Sequence, residues 1–187
     1  RLIFQAAEGL AAAHREGIIH RDVKPGNLLV EKSDRLVLTD FGLARDSAAV
    51  TITGSNQVLG TPRYMSPEQA NGVREEIDHR TDIYSLGATL YELVTHKPIF
   101  DERDGHILHQ VLFKDPKPPR KHNPRIPLDL ETIIIKAIAH DTERRYPSMD
   151  AFGADLRSYL RGEEISTRRP GLWSRVQRRV RRHRQVA

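Results

Sequence analysis

The sequence predicts an α+β fold in which a mainly helical body carries one small β-hairpin. Apolar residues recur at helical spacing in residues 2–16 and again from residue 81 onward, which indicates helices with buried faces. Two short β-prone runs flank a polar stretch centred near residue 33, and this is the pattern of a hairpin. With 187 residues, 38% hydrophobic and 29% charged, the chain is long enough for one sizeable core and too short for two comfortable ones.

The first helix and the hairpin are predicted within the first forty residues. Residues 2–16 place Leu, Ile and Ala side chains on one helical face, and Gly17 can end that helix. The two strands are expected at residues 28–30 and 36–38. Residues 45–66 are rich in Thr, Ser, Ala and Gly and show little periodicity, which predicts a long loop.

The second half of the chain is predicted to be helical. The helix that begins near Thr81 is apolar over most of its circumference, and such a helix is usually central to a core. Weaker helical patterns follow at about residues 104–114, 128–140 and 148–161, with a Pro-rich segment at 116–127 between the first two.

Charge and cysteine content exclude several classes of protein. The chain has no Cys, so it has neither a disulfide framework nor thiolate chemistry. The formal net charge is +5, yet residues 168–187 contain eight Arg and no acidic residue. Since the remaining body is slightly acidic, a basic nucleic-acid-binding domain is a poor description of it. No apolar stretch approaches the roughly 20 residues of a membrane span, and no signal-peptide layout is seen.

The residues that can carry chemistry cluster in four motifs. Residues 20–27, His-Arg-Asp-Val-Lys-Pro-Gly-Asn, follow the first helix, and Asp-Phe-Gly at 40–42 follows the hairpin. Gly-Thr-Pro-Arg-Tyr-Met-Ser-Pro-Glu closes the long loop at 60–68, and Asp-Ile-Tyr-Ser-Leu-Gly begins the central helix at 82–87. Two acids and an amide around a hairpin can hold Mg²⁺ through oxygen ligands while a separate carboxylate faces a substrate hydroxyl.

Together, these motifs resemble the catalytic lobe of eukaryotic-like, bacterial-type serine/threonine protein kinases over residues 1–162. The resemblance implies a protein-kinase-like fold, of which this chain holds the mainly helical C-terminal lobe. No G-x-G-x-x-G motif precedes residue 20, and the sequence starts inside a helical pattern. We therefore expect that the N-terminal small lobe is absent and that this fragment is inactive by itself.

The resemblance also implies a role for each site residue. Asp22 is expected to orient and deprotonate the acceptor hydroxyl, and Lys24 to support the transferred phosphate, in the pattern of kinases that act on Ser or Thr. Asn27 and Asp40 are expected to bind Mg²⁺, and Leu29 to pack under the adenine of ATP. The alternatives are that the polar residues only shape turns and helix ends, and that Leu29 is an ordinary core residue.

Other residues are expected to regulate or stabilise the lobe. By resemblance, Arg21 binds a phosphate on the long loop, and the candidate acceptors are Thr51, Thr53, Ser47 and Ser55. Glu68 and Arg145 are expected to form a buried ion pair. His20 is expected to pack against Phe41 rather than to bind a metal.

Residues 163–187 form an Arg-rich tail with two competing interpretations of similar weight. One is a solvated extension; the other is a juxtamembrane linker that meets the anionic cytoplasmic face of the cell membrane. Nucleic acid is the least favoured partner. The predicted function is ATP-dependent transfer of phosphate to Ser or Thr of proteins, with a receptor-type signalling role, and the alternative is a pseudokinase-like scaffold.

Overall fold

The computed structural model describes residues 1–41, 62–72 and 77–167. This part of the chain contains six α-helices and one two-stranded antiparallel sheet. The helices are α1 (Leu2–Arg15), α2 (Pro67–Asn71), α3 (Arg80–Thr95), α4 (Ile107–Phe113), α5 (Leu128–Ala137) and α6 (Met149–Arg161). The strands are β1 (Leu28–Val30) and β2 (Leu36–Leu38). The predicted α+β class, a helical body with one small hairpin, is confirmed.

Local sequence signals explain where several elements begin and end. After α1, Gly17 adopts a φ of 72°, a left-handed conformation that glycine reaches without steric cost. The side chain of Ser148 accepts a hydrogen bond from the amide of Ala151 and caps α6. Two helices are shorter than predicted. A 3₁₀ turn precedes α4, which begins at Ile107, and α5 ends at Ala137 because Ile138 leaves the helical conformation.

Helix α3 lies in the centre of the core, as predicted. Its buried residues point in all directions and include Ile83, Leu86 and Tyr91. The close approach of α5 depends on Gly87, because a Cβ added there would lie 2.7 Å from the Cβ of Ala137. A side chain at this position would push the two helices apart.

The hairpin is fixed on α1 by one glutamine side chain. The Nε2 of Gln5 donates to the carbonyl of Asp34 (3.0 Å), and its Oε1 accepts from the amide of Leu36 (2.9 Å). Asp34 itself has a left-handed backbone with a φ of 60°. These bonds hold the turn of the hairpin, so its other end, which carries residues 27 and 39, has a defined position. Within the described residues, no helix has the length and apolar character that a membrane span requires.

Candidate active site

The loop after α1 is organised around the buried ring of His20. The Nε2 of His20 bonds the carbonyl of Thr39 (2.9 Å), while its Nδ1 accepts from the amide of Asp22 (3.3 Å). The ring also packs on that of Phe41, with 4.6 Å between centroids. The predicted contact with Phe41 is therefore confirmed. Because each nitrogen has a protein partner, His20 joins the loop to the residues after β2 and is not a metal ligand.

The carboxylate of Asp22 is held by two neighbouring side chains. The Nζ of Lys24 lies 2.7 Å from Oδ2 of Asp22, and the Nδ2 of Asn27 donates to the same oxygen at 3.1 Å. Asn27 also donates to the main-chain carbonyl of Asp22 at 2.8 Å. The side chain of Asp22 is nonetheless 42% exposed. The structure thus brings three predicted site residues together and leaves the carboxylate partly open to solvent.

The hairpin brings Asn27 and Asp40 to the same end of the sheet. Leu28 pairs with Leu38 in the strand register, and the amide of Thr39 donates to the carbonyl of Asn27 (3.1 Å) just beyond it. Asp40 follows directly with an exposed side chain and a left-handed φ of 62°. The two residues predicted as Mg²⁺ ligands therefore lie at the same end of the hairpin.

The side-chain chemistry of Asn27 and Asp40 fits a pair of ligands for Mg²⁺. Since the amide nitrogen of Asn27 donates to Asp22, its oxygen is the atom available for a cation, and Asp40 supplies a carboxylate. No group of three or more His, Cys, Asp or Glu residues that could hold a metal exists within the described ranges. Two protein ligands, with phosphate and water completing the shell, are typical of Mg²⁺ beside phosphates.

Leu29 is exposed in this lobe. The residue is 53% exposed, and its neighbour Val30 is also exposed. No other described residue buries it, and its contact with adenine remains a prediction. The hairpin offers an apolar surface, as the predicted contact with adenine requires.

Asp82 begins the fourth sequence motif, but the sequence predicted no role for its side chain. It is completely buried in the first turn of α3, where Oδ2 accepts from the amide of His20 (2.9 Å) and Oδ1 accepts from the amide of Arg21 (2.8 Å). The Nε2 of His14 lies 2.7 Å from Oδ2. A carboxylate on a helix that is apolar all round was the available signal, because such a group must find partners when it is buried.

The predicted pair of Glu68 and Arg145 is present and buried. Both guanidinium Nη atoms lie 2.7 Å from the carboxylate oxygens, in a bidentate arrangement. Arg145 further donates to the carbonyls of Ala139 and Arg80. The pair ties α2 to the chain after α5 and to the start of α3.

Several predicted features lie outside the described residues. They are the candidate phosphate acceptors Ser47, Thr51, Thr53 and Ser55, Gly42 of the Asp-Phe-Gly motif, and the Arg-rich segment 168–187. The roles of the phosphate acceptors and of the Arg-rich segment remain predictions.

Comparison with protein families supports the resemblance. The protein kinase domain family matches residues 1–155, which include the loop, the hairpin, the buried ion pair and most of α6. The chain belongs to the protein kinase family. This helical body is accordingly a lobe of a protein kinase fold.

Three relatives with similar sequences come from bacteria. The chain is 40% identical over 159 residues to the serine/threonine-protein kinase PknB of Mycobacterium leprae, an alignment that covers 83% of the chain and 25% of that protein. It is 36% identical over 161 residues to the probable serine/threonine-protein kinase SCO3848 of Streptomyces coelicolor, covering 84% of the chain and 24% of that protein. The tyrosine-protein kinase MasK of Myxococcus xanthus is 38% identical over 169 residues, 86% of the chain and 26% of that protein. The chain thus spans about a quarter of the length of these relatives.

Proposed function

We propose that this chain is the catalytic lobe of an ATP-dependent protein kinase that phosphorylates Ser and Thr. The observation that carries the proposal is the half-exposed carboxylate of Asp22, which Lys24 and Asn27 hold at 2.7 Å and 3.1 Å. The carboxylate of Asp22 can accept the proton of an alcohol, and the ammonium of Lys24 can balance the negative charge of a phosphate group beside it.

Each residue then has a defined task in phosphoryl transfer. Asp22 orients the substrate hydroxyl and accepts its proton, and Lys24 contacts the phosphate oxygens as the new bond forms. Asn27 and Asp40 would hold Mg²⁺, which neutralises phosphate oxygens when it is bound. Asp82 and His20 keep the loop rigid, so little reorganisation is needed during the reaction.

The preference for Ser and Thr rests on Lys24 and on the similarity to PknB. Because a relative of comparable identity is named a tyrosine kinase, the acceptor is best tested directly. Matched peptides that differ only in a Ser, Thr or Tyr acceptor should show transfer to the first two.

The decisive experiment replaces Asp22 in a complete kinase that joins this lobe to a nucleotide-binding small lobe. We expect Asp22→Asn to lower kcat by about 10²- to 10⁴-fold with little change in ATP affinity, because the proton acceptor acts mainly in the transition state. Asp150→Asn, at an exposed position on α6, is the matched control and should leave kcat unchanged. Near-normal transfer by Asp22→Asn would overturn the assignment and favour a pseudokinase-like scaffold.

The small lobe is itself a proposed partner. The exposed apolar side chains of Leu29 and Val30 support it, since a nucleotide bound on the hairpin needs a cover that excludes water. The lobe alone is therefore expected to be inactive.

A phosphate on Thr51 or Thr53, bound by Arg21, remains the proposed activating modification. The buried Nε of Arg21 supports it, because this atom has no hydrogen-bond partner among the described residues.

For the tail, residues 163–187, we propose a juxtamembrane role at the cytoplasmic face of a receptor-type kinase. Its eight Arg and the absence of acids in 168–187 support attraction to anionic lipid, at about 1 kcal/mol for each Arg that reaches the surface. A peptide of residues 163–187 should bind vesicles that contain acidic lipid, less at high salt and less after Trp173→Ala. Equal binding to neutral vesicles would contradict this role.

A further inference from the structure

The residue before Asp22 has a strained backbone that is held from two sides. Arg21 has a φ of 66°, in the left-handed region that residues other than glycine occupy at a cost. Its amide donates to Oδ1 of Asp82 (2.8 Å), and its carbonyl accepts from Nε2 of Gln69 (2.8 Å). A conformation of this kind persists only where surrounding bonds enforce it, and here both polar atoms of the residue are bonded.

Gln69 also belongs to the cap of α2. Its Oε1 accepts from the amide of Ser66 (3.0 Å), and the Oγ of Ser66 accepts from the amide of Gln69 (3.4 Å), which completes a capping box. The oxygen of the Gln69 side chain therefore takes part in the cap of α2, and its nitrogen bonds the loop of residues 20–27, called the catalytic loop below. The two segments are 48 positions apart in sequence.

The bond from Gln69 acts on the peptide group that precedes the catalytic carboxylate. The carbonyl of Arg21 and the amide of Asp22 belong to one planar unit. Gln69 holds the oxygen of this unit, and Nδ1 of His20 accepts from its N–H. Rotation of this plane would change ψ of Arg21 and φ of Asp22, and with φ the direction of the Asp22 side chain, so both bonds help to fix where the carboxylate lies.

We propose that Gln69 is a positioning residue for phosphoryl transfer, which acts through the carbonyl of Arg21 and couples segment 62–72 to the catalytic loop. The proposal rests on the function assigned to Asp22 above. It assigns to Gln69 a role beyond the helix cap. A displacement of α2 would be transmitted to Asp22 through the hydrogen bond from Gln69 to the carbonyl of Arg21.

Two substitutions separate the two uses of the Gln69 side chain. Gln69→Glu keeps an oxygen acceptor for the cap, since Glu is a usual capping-box residue, but it loses the donor to Arg21. Gln69→Lys keeps a donor that can reach the carbonyl and loses the cap oxygen. Gln5→Glu is the matched control, because Gln5 likewise donates from Nε2 to the carbonyl of a left-handed residue, Asp34, and accepts an amide at Oε1.

In a complete kinase that contains this lobe, Gln69→Glu is expected to lower kcat by about 10- to 100-fold, the effect of a small misplacement of a reacting group. The KM for ATP and the melting temperature should stay close to those of the parent. Without nucleotide, the peptide that spans residues 19–23 should exchange its amide hydrogens faster. Gln69→Lys should lower the melting temperature and keep most of kcat, and Gln5→Glu should leave the exchange of residues 19–23 unchanged.

Other outcomes would overturn the proposal. If Gln69→Glu leaves both kcat and the exchange of residues 19–23 unchanged, Gln69 does not position the loop. If Gln69→Glu and Gln69→Lys each lower both kcat and the melting temperature, the side chain of Gln69 serves the cap alone. Asp22→Asn is measured alongside; if that variant remains active, the proposed function fails, whereas an inactive Asp22→Asn with an unaffected Gln69→Glu refutes only the coupling.

Discussion

Two ion pairs with the same separation lie in different surroundings in this lobe, and under the proposed function they have different tasks. The nitrogen and oxygen atoms are 2.7 Å apart both in Lys24–Asp22 and in Arg145–Glu68. In the first pair the side chains are 25% and 42% exposed, and in the second they are 0% and 5% exposed. Separation alone therefore does not tell what an ion pair contributes. The surroundings decide whether it serves chemistry or stability.

The difference follows from desolvation and from the number of partners. The guanidinium of Arg145 donates to the carbonyls of Ala139, Arg80 and His140 as well as to the carboxylate of Glu68. Removal of either charged side chain therefore leaves the other as an unpaired buried charge. Lys24 and Asp22 are partly exposed, so solvent screens their attraction. Under the proposed function, this exposure lets a substrate hydroxyl approach the pair.

The largest change in stability is expected from breaking the buried pair. Glu68→Ala or Arg145→Ala should lower the free energy of unfolding by about 3 to 5 kcal/mol, because each leaves one buried charge without its partner. Denaturant titration of both variants measures the effect.

Replacing both members together sharpens this test. The double variant Glu68→Met with Arg145→Met removes both charges and should be more stable than either single alanine variant, since no unpaired charge remains. Unchanged denaturation midpoints in the single variants would show that the pair contributes nothing.

A medium effect, dependent on pH, is expected at Asp155. This buried carboxylate accepts from the amide of Ser166 (2.8 Å) and its Oγ (2.7 Å), from the hydroxyl of Tyr146 (2.8 Å), and from Thr167. Burial is the largest single influence and raises the pKa of Asp155, but the hydrogen bonds from Thr167, Ser166 and Tyr146 together outweigh it and lower the pKa below its usual value.

A pKa that is lower in the folded state makes the carboxylate stabilising above its unfolded pKa of about 3.9. This contribution is lost as the pH falls through the folded pKa. Asp155→Asn should therefore lower stability by about 1 to 3 kcal/mol near neutral pH, and the difference from the parent should shrink below about pH 4. Melting curves between pH 3 and pH 7 test this expectation, with the exposed Asp150→Asn as control; a difference that does not vary with pH would contradict it.

The smallest effect on stability, and a large one on catalysis, is expected at the exposed pair. Lys24→Met should change the free energy of unfolding by less than about 1 kcal/mol, the usual range for solvent-exposed pairs. It should lower kcat by roughly 10²- to 10³-fold, as the loss of one group that stabilises transition-state charge does. Unfolding and transfer assays on one preparation test both statements, and a loss of stability as large as that of Arg145→Ala would remove the contrast between the pairs.

Much of the lobe could be predicted because its signals are local. Helix α1, the hairpin and α3 follow from spacing within a few residues, and Gly17 and Ser148 act on the turns beside them. The boundaries of α4 and α5 were less accurate, because the last turn of a helix depends on what packs against it.

By itself, the sequence determined the fold class, the elements of the core and the set of candidate residues Asp22, Lys24, Asn27 and Asp40. The tertiary structure decided that Leu29 is exposed, and that Asp82 and Gln69 bond the loop beside Asp22. These bonds join residues 61 and 48 positions apart. Spacing and propensity act over a few residues, whereas a buried carboxylate takes its partners from whichever segments the packing of α1, α2 and α3 brings beside it.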